Sequence, residues 1–232
     1  MSTRKPTQPR KARKPRNPRK RPTRTSAANH RVAARQDRTR AEIVAVARGL
    51  LAQSPLAGFT LDEIASAVGV TKPALYHYFP NREALIRAAM AEGYLEQARV
   101  MREALRKADD GPAVLSAMTT AFVEHYRQRP ELFRLDFAWS QLFSDRDSVK
   151  DLILPVFNEL TGLVAEKLRR GADVSPLEAR QLSVIAWTSA VGLMSALSVT
   201  AAGKTGLAHP TEALLALINR GLEASARADH RS

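Results

Sequence analysis

The chain has 232 residues and carries 36 Lys and Arg against 23 Asp and Glu, a formal net charge of +13, with no cysteine. That composition excludes a thiol nucleophile, a disulfide framework and a cysteine-ligated zinc or iron-sulfur centre, while 44% hydrophobic content is that of a globular protein. The charge is local: residues 1–40 hold 15 of the basic residues and one acidic residue, Asp37, leaving 21 basic and 22 acidic over the other 192.

A polycationic arm therefore precedes a near-neutral body. The arm, taken as residues 1–34, is Lys, Arg and Pro with small polar residues and has too little apolar surface to offset the entropy of folding, so it is expected to be disordered. Pro6, Pro9, Pro15, Pro18 and Pro22 stiffen it towards extended polyproline II. They also break the amphipathic helix of a transit peptide, and residues 1–31 contain no apolar run of the kind a signal peptide needs. A cytoplasmic, nucleoid-associated protein is expected. The basic run from Lys14 to Pro22 can lie along phosphates or in a narrow minor groove, or serve only as a solubilising tail.

Beyond the arm, apolar residues recur at helical spacing and none of the segments alternates, which predicts an all-α body of about nine helices. The first runs from about Asp37 to Gln53, with Ile43, Ala47, Leu50 and Leu51 on one face. Thr60-Leu61-Asp62-Glu63 is a capping box that opens a short helix ended by Gly69. A third helix starts at the Thr71 cap with Pro73 in its first turn and reaches Phe79. A fourth runs from Arg82 to about Lys107, and Gly and Pro punctuation leaves others near 112–127, 131–143, 147–170, 176–201 and 211–228. Residues 35–82 and 83–232 thus read as two domains.

Two short helices joined by a glycine turn form a helix-turn-helix pattern. On the second helix Leu75 and Phe79 face inward, while Pro73, Ala74, Tyr76 and His77 face out with Lys72 at the tip. The stretch from Thr60 to Leu85, with Leu75-Tyr76-His77-Tyr78-Phe79-Pro80 at its centre, resembles the DNA-binding region of TetR/AcrR-family transcriptional regulators. The resemblance implies a homodimer with a three-helix DNA-binding domain, a helical regulatory domain, and repression relieved by a small ligand. It implies base and adjacent backbone contacts by Lys72, Pro73, Ala74 and Tyr76, and backbone contacts by His77, Tyr78, Thr60, Thr71 and Arg82. Asp62 stands where some members carry a base-reading cation, and is expected to favour the helix dipole or accept from cytosine.

In the body, Phe122, Tyr126, Phe133, Phe137 and Trp139 are the candidates for lining a cavity for a hydrophobic or aromatic effector, core packing being the alternative. Residues 181–203 carry no charge, yet their hydroxyls and the Ser175 capping box favour a buried helix over a membrane span. Trp187, Ala190, Leu193, Met194 and Leu197, with Leu214 and Ile218 of the last helix, are assigned to a dimer interface. Gly203-Lys204-Thr205 lacks the glycine and strand of a phosphate loop, and Asp145, Asp147 and Asp151 lack the glycine and terminal Glu of a calcium loop. No cofactor, metal or catalytic group is expected. The partners expected are double-stranded DNA with a palindromic operator, a second copy of the chain and a small effector. The rival reading is an architectural, nonspecific DNA-coating protein dominated by the arm.

Overall fold

The computed structural model describes residues 24–53, 59–142, 147–203 and 211–228, and their side chains except at 24–30, 139–142, 147–150, 152 and 199–203. Among the described residues the regular elements are nine helices: α1 (Arg24–Gln53), α2 (Leu61–Val68), α3 (Lys72–Tyr78), α4 (Arg82–Lys107), α5 (Ala113–Arg127), α6 (Pro130–Leu142), α7 (Asp147–Gly171), α8 (Pro176–Gly203) and α9 (Thr211–Arg227). Lys204, Thr205 and Asp145 lie outside the described residues.

The chain divides into two compact units, Met1–Thr39 and Arg40–Ser232. In the first, α1 begins at Arg24, so residues 24–34 are helical where the sequence suggested a disordered arm. The reason is local: no proline follows Pro22 until Pro55, and Ala27, Ala28, Ala33 and Ala34 are strong helix formers whose preference the dense charge does not cancel. Residues 31–38 are all exposed.

In the second unit, Ile43, Val44, Ala47 and Leu51 of α1 join Ile64 of α2, Leu75 and Phe79 around α3, and Leu85 of α4 in the buried core. α4 carries that core onward through Ala89, Met90, Ala98, Met101 and Leu105. α5, with Val114, Leu115, Met118, Phe122 and Val123 buried, is in contact with α4, α6, α7, α8 and α9. α9 is held to α5 by Leu215, Leu222 and Ala226, and by hydrogen bonds from Asn219 Nδ2 to Thr120 Oγ1 (3.1 Å) and Ser116 Oγ to Glu223 (2.6 Å).

α8 is apolar on nearly every side, and its segment Pro176–Ser198 is long and apolar enough to cross a membrane by length and composition. Its neighbours fix its orientation: Ala179, Leu182, Ala186, Ala190, Leu193 and Met194 are buried, with α5 and α7 packed against the helix. The residues assigned to a dimer face divide between two environments. Ala190, Leu193 and Met194 serve the chain's own core, and Trp187, Leu197, Leu214 and Ile218 are half-buried against it. Gln181, Ile185, Thr188, Gly192 and Ala196 are among the exposed positions of α8, and Ala213, Leu217, Gly221 and Ala224 among those of α9. A helix with apolar residues all round gives no periodic signal to say which side is inward.

Candidate nucleic-acid interface and effector cavity

The helix-turn-helix is built by its caps. Thr60 Oγ1 accepts from the Glu63 N–H at 3.2 Å, and Glu63 Oε2 accepts from the Thr60 N–H at 2.7 Å. Those backbone and hydroxyl donors hold the Glu63 carboxyl below its ordinary pKa. Gly69 closes α2 at φ 73°, a left-handed conformation that costs glycine nothing, and Val70 N–H then donates to Ala65 O at 2.9 Å. Thr71 Oγ1 caps α3 through the Ala74 N–H at 3.3 Å, with Pro73 in the first turn. Asn81 Oδ1 caps α4 through the Ala84 N–H at 2.8 Å.

Leu75 is 1% exposed and Phe79 is buried, so α3 is anchored by two apolar side chains and turns its other face outward. Thr60, Thr71, Lys72, Pro73, Tyr76 and His77 are exposed, Tyr76 to 47%, while Ala74 and Tyr78 are half-buried. Tyr78 packs against the core, which divides its ring between interior and surface. Arg82 is exposed but oriented: its Nε donates to Phe59 O at 3.0 Å and its guanidinium lies 5.1 Å from the Phe59 ring centroid. Arg40 sits 4.8 Å over the Phe79 ring in the same way.

Asp62 lies in the first turn of α2, where its charge favours the helix dipole, and it also has a partner on α3. Its Oδ2 accepts from Lys72 Nζ at 2.7 Å, linking the first turn of α2 to the first turn of α3. That hydrogen bond and the accompanying charge hold the Lys72 ammonium above its ordinary pKa.

A second concave feature lies among α4 to α8. A cavity of about 200 Å³ is lined by Tyr94, Gln97, Phe122, Tyr126, Phe133, Asp136, Phe137, Ile153, Trp187 and Val191. Four of the five expected aromatics are there, and the side chain of Trp139 lies outside the described residues. The rings meet edge to face, Phe122 lying 5.2 Å from Tyr126 and 5.5 Å from Trp187, while Phe133 and Phe137 stack at 5.6 Å. Trp187, assigned from sequence to the dimer face, is part of this wall. Tyr94 and Gln97 were not expected, although two polar side chains three apart on the apolar side of α4 mark them out.

One wall residue reaches back to α1. Asp136 on α6 is 3% exposed and is gripped bidentately by Arg48 of α1, NH1 donating to Oδ1 and NH2 to Oδ2, each at 2.8 Å. Tyr126 Oη donates to Asp136 Oδ2 at 2.9 Å, and Tyr94 Oη to the Asp136 carbonyl at 2.8 Å. Burial opposes the Arg48 cation, yet the Asp136 hydrogen bonds and charge outweigh it and leave the guanidinium pKa raised. Burial and the Asp136 charge push the Tyr126 hydroxyl well above its ordinary value, so it remains a donor. Gly93 gives Arg48 room: a Cβ there would overlap the guanidinium.

Residues 43–89 match the family described as bacterial regulatory proteins, tetR family. The HTH-type transcriptional regulator EthR of Mycobacterium tuberculosis is 41% identical over 44 residues, a stretch that spans 19% of this chain and 20% of that relative. Of solved structures, a transcriptional regulator from Rhodococcus sp. Rha1 superposes with TM-score 0.65 at 16% identity, covering 79% of this chain and 93% of its own. A TetR family transcription regulator from Marinobacter aquaeolei VT8 superposes with TM-score 0.64 at 16% identity, covering 83% and 97%. At such identities these two speak to the fold alone. Residues 43–89 thus match the tetR family of bacterial regulatory proteins, and the chain has the helical fold of solved structures that include a TetR family transcription regulator.

Proposed function

We propose that the chain is a ligand-responsive transcriptional repressor that binds a palindromic operator on double-stranded DNA as a homodimer and leaves it when a small apolar effector enters the cavity. The observation that carries this reading is the Arg48–Asp136 grip: the α1 that helps build the DNA-binding core is hydrogen-bonded to a residue of the cavity wall. An effector that alters the seat of Asp136 then has a direct route to α1. It shifts DNA binding only to the extent that it binds the DNA-incompetent arrangement more tightly.

In this reading α3 enters the major groove, Lys72, Pro73, Ala74 and Tyr76 meeting base edges and His77, Tyr78, Arg82, Thr60 and Thr71 the backbone. Two copies joined through the outward stripes of α8 and α9 form a four-helix bundle and set their α3 helices about one DNA turn apart. The protein works in the cytoplasm at the nucleoid.

The coating-protein reading is favoured by one observation, the 15 basic residues within residues 1–40. Footprinting of the full chain and of a form lacking residues 2–22, at two salt concentrations, separates the two. Symmetric protection that survives the deletion is expected, with a log-log salt slope flattened by about 0.9 for each phosphate that the arm neutralises. Tyr76→Ala in the full chain is expected to weaken operator binding by about tenfold while sparing nonspecific binding. Protection that is sequence-blind, or that disappears with the arm, overturns the repressor reading.

A further inference from the structure

One polar group in the cavity has no partner among the described residues. Gln97 of α4 is 4% exposed and lines the cavity, and within those residues its side-chain amide makes no hydrogen bond. No buried side-chain polar atom among the described residues is sealed off without a partner, so this amide opens onto the cavity's free space. An amide in an aromatic enclosure has few groups nearby to bond, and a ligand that supplies a hydrogen bond there adds it to the apolar contacts of the rings.

The rest of the wall narrows the chemistry. Arg48 neutralises the Asp136 charge, and Arg48 and Tyr126 together take three of the carboxylate's hydrogen-bonding positions, so it holds little attraction for an amine. Arg48, in turn, is spent on Asp136, and none of the lining residues supplies another cation for an acid. Phe122, Phe133, Phe137 and Trp187 present ring faces and edges. A cavity of about 150 Å³ lined by apolar side chains accepts benzene, so about 200 Å³ accommodates one ring with two or three further heavy atoms.

We infer that the effector is a neutral one-ring aromatic molecule with a single carbonyl or hydroxyl group, and that Gln97 is the residue that recognises that group. The inference rests on the effector reading of the cavity given above. Gln97 can donate through its NH₂ or accept through its carbonyl, so ketones, amides and phenols satisfy it equally. A carboxylate must enter without a counter-charge and is rejected by desolvation.

Isothermal titration calorimetry on the full chain with acetophenone, ethylbenzene and benzoate tests this, since the three share a ring and differ in the polar group. Acetophenone is expected to bind about tenfold more tightly than ethylbenzene, the difference one uncompensated hydrogen bond makes, with benzoate weakest. Gln97→Leu keeps the volume and adds apolar surface. It is expected to bring acetophenone down to the ethylbenzene affinity and to leave ethylbenzene within about twofold of its affinity for the unaltered chain. Equal binding of acetophenone and ethylbenzene by the unaltered chain, preference for benzoate, or discrimination that survives Gln97→Leu overturns the ligand class and leaves the effector cavity standing. Absence of binding by all three at millimolar concentration overturns the cavity reading with it.

Discussion

Arg48 and Asp136 make the most consequential residue pair in the body. Each is buried, and their bidentate bonds neutralise two charges that solvent does not reach. Removing one partner strands the other, so Arg48→Met or Asp136→Asn is expected to cost about 3–5 kcal/mol of stability in urea unfolding. The double variant Arg48→Met with Asp136→Asn should lose clearly less than the sum of the two single losses, and additive losses would mean that the pair is not energetically coupled. Half of the pair is legible in the sequence. Arg48 falls on the same helical face as Val44, Ala47 and Leu51, where a charge demands a partner. The partner lies 88 residues away, and no spacing rule reaches that far.

At the scale of elements, what the sequence reveals depends on how sparse the apolar residues are. α3 has few, so Leu75 and Phe79 settle its phase and leave Tyr76 and His77 outside. Caps at Thr60, Thr71 and Asn81 mark where α2, α3 and α4 begin as clearly. α8 is the opposite case: with apolar side chains on all sides, only the packing of α5 and α7 determines that Met194 turns in and Ile185, 49% exposed, turns out. Together with Leu217 on α9, exposed to 58%, Ile185 lies on the outward stripes assigned to the homodimer. Ile185→Arg is therefore expected to convert the dimer to monomer in analytical ultracentrifugation with the helical circular dichroism unchanged. A dimer that survives this change has its interface elsewhere. The start of α1 was missed for a different reason, since charge density suggested disorder where alanines and the absence of proline allow a helix.

Across the whole molecule, carboxylates and one histidine set the response to acid. Glu63, Glu103, Asp110, Glu159 and Glu223 are held below their ordinary values, by the Thr60 backbone, Arg106, Lys167, Arg102 and Ser116 respectively as the first cause. Each contributes stability that is present above the unfolded carboxyl values of 3.8 to 4.5 and lost as pH falls through the lower folded ones. His125, which burial holds below 6.5, acts in the same direction at higher pH: the unfolded chain takes up its proton first, so acidification below 6.5 already favours unfolding. Differential scanning calorimetry is expected to show Tm falling gently from about pH 7 to 5.5 and steeply below about 4.5, and His125→Gln should flatten the upper step. A Tm that rises on acidification to about pH 5.5 contradicts that sign.

In the proposed contact with DNA, the ion pair between Asp62 and Lys72 bears on how the free protein approaches. The lysine at the tip of α3 already has an anion beside it, so the leading edge of the recognition helix is zwitterionic before contact. Attraction from a distance then falls to other cations, and Lys72 joins the phosphates or bases only by exchanging the Asp62 carboxylate for another acceptor in a matching position. Under that proposal the lysine is a contact held in reserve, released where the fit is close enough to compete with Asp62. Under that proposal such an exchange is expected to weaken binding to arbitrary sequence more than binding to a well-fitted site, and so to increase the difference between the two.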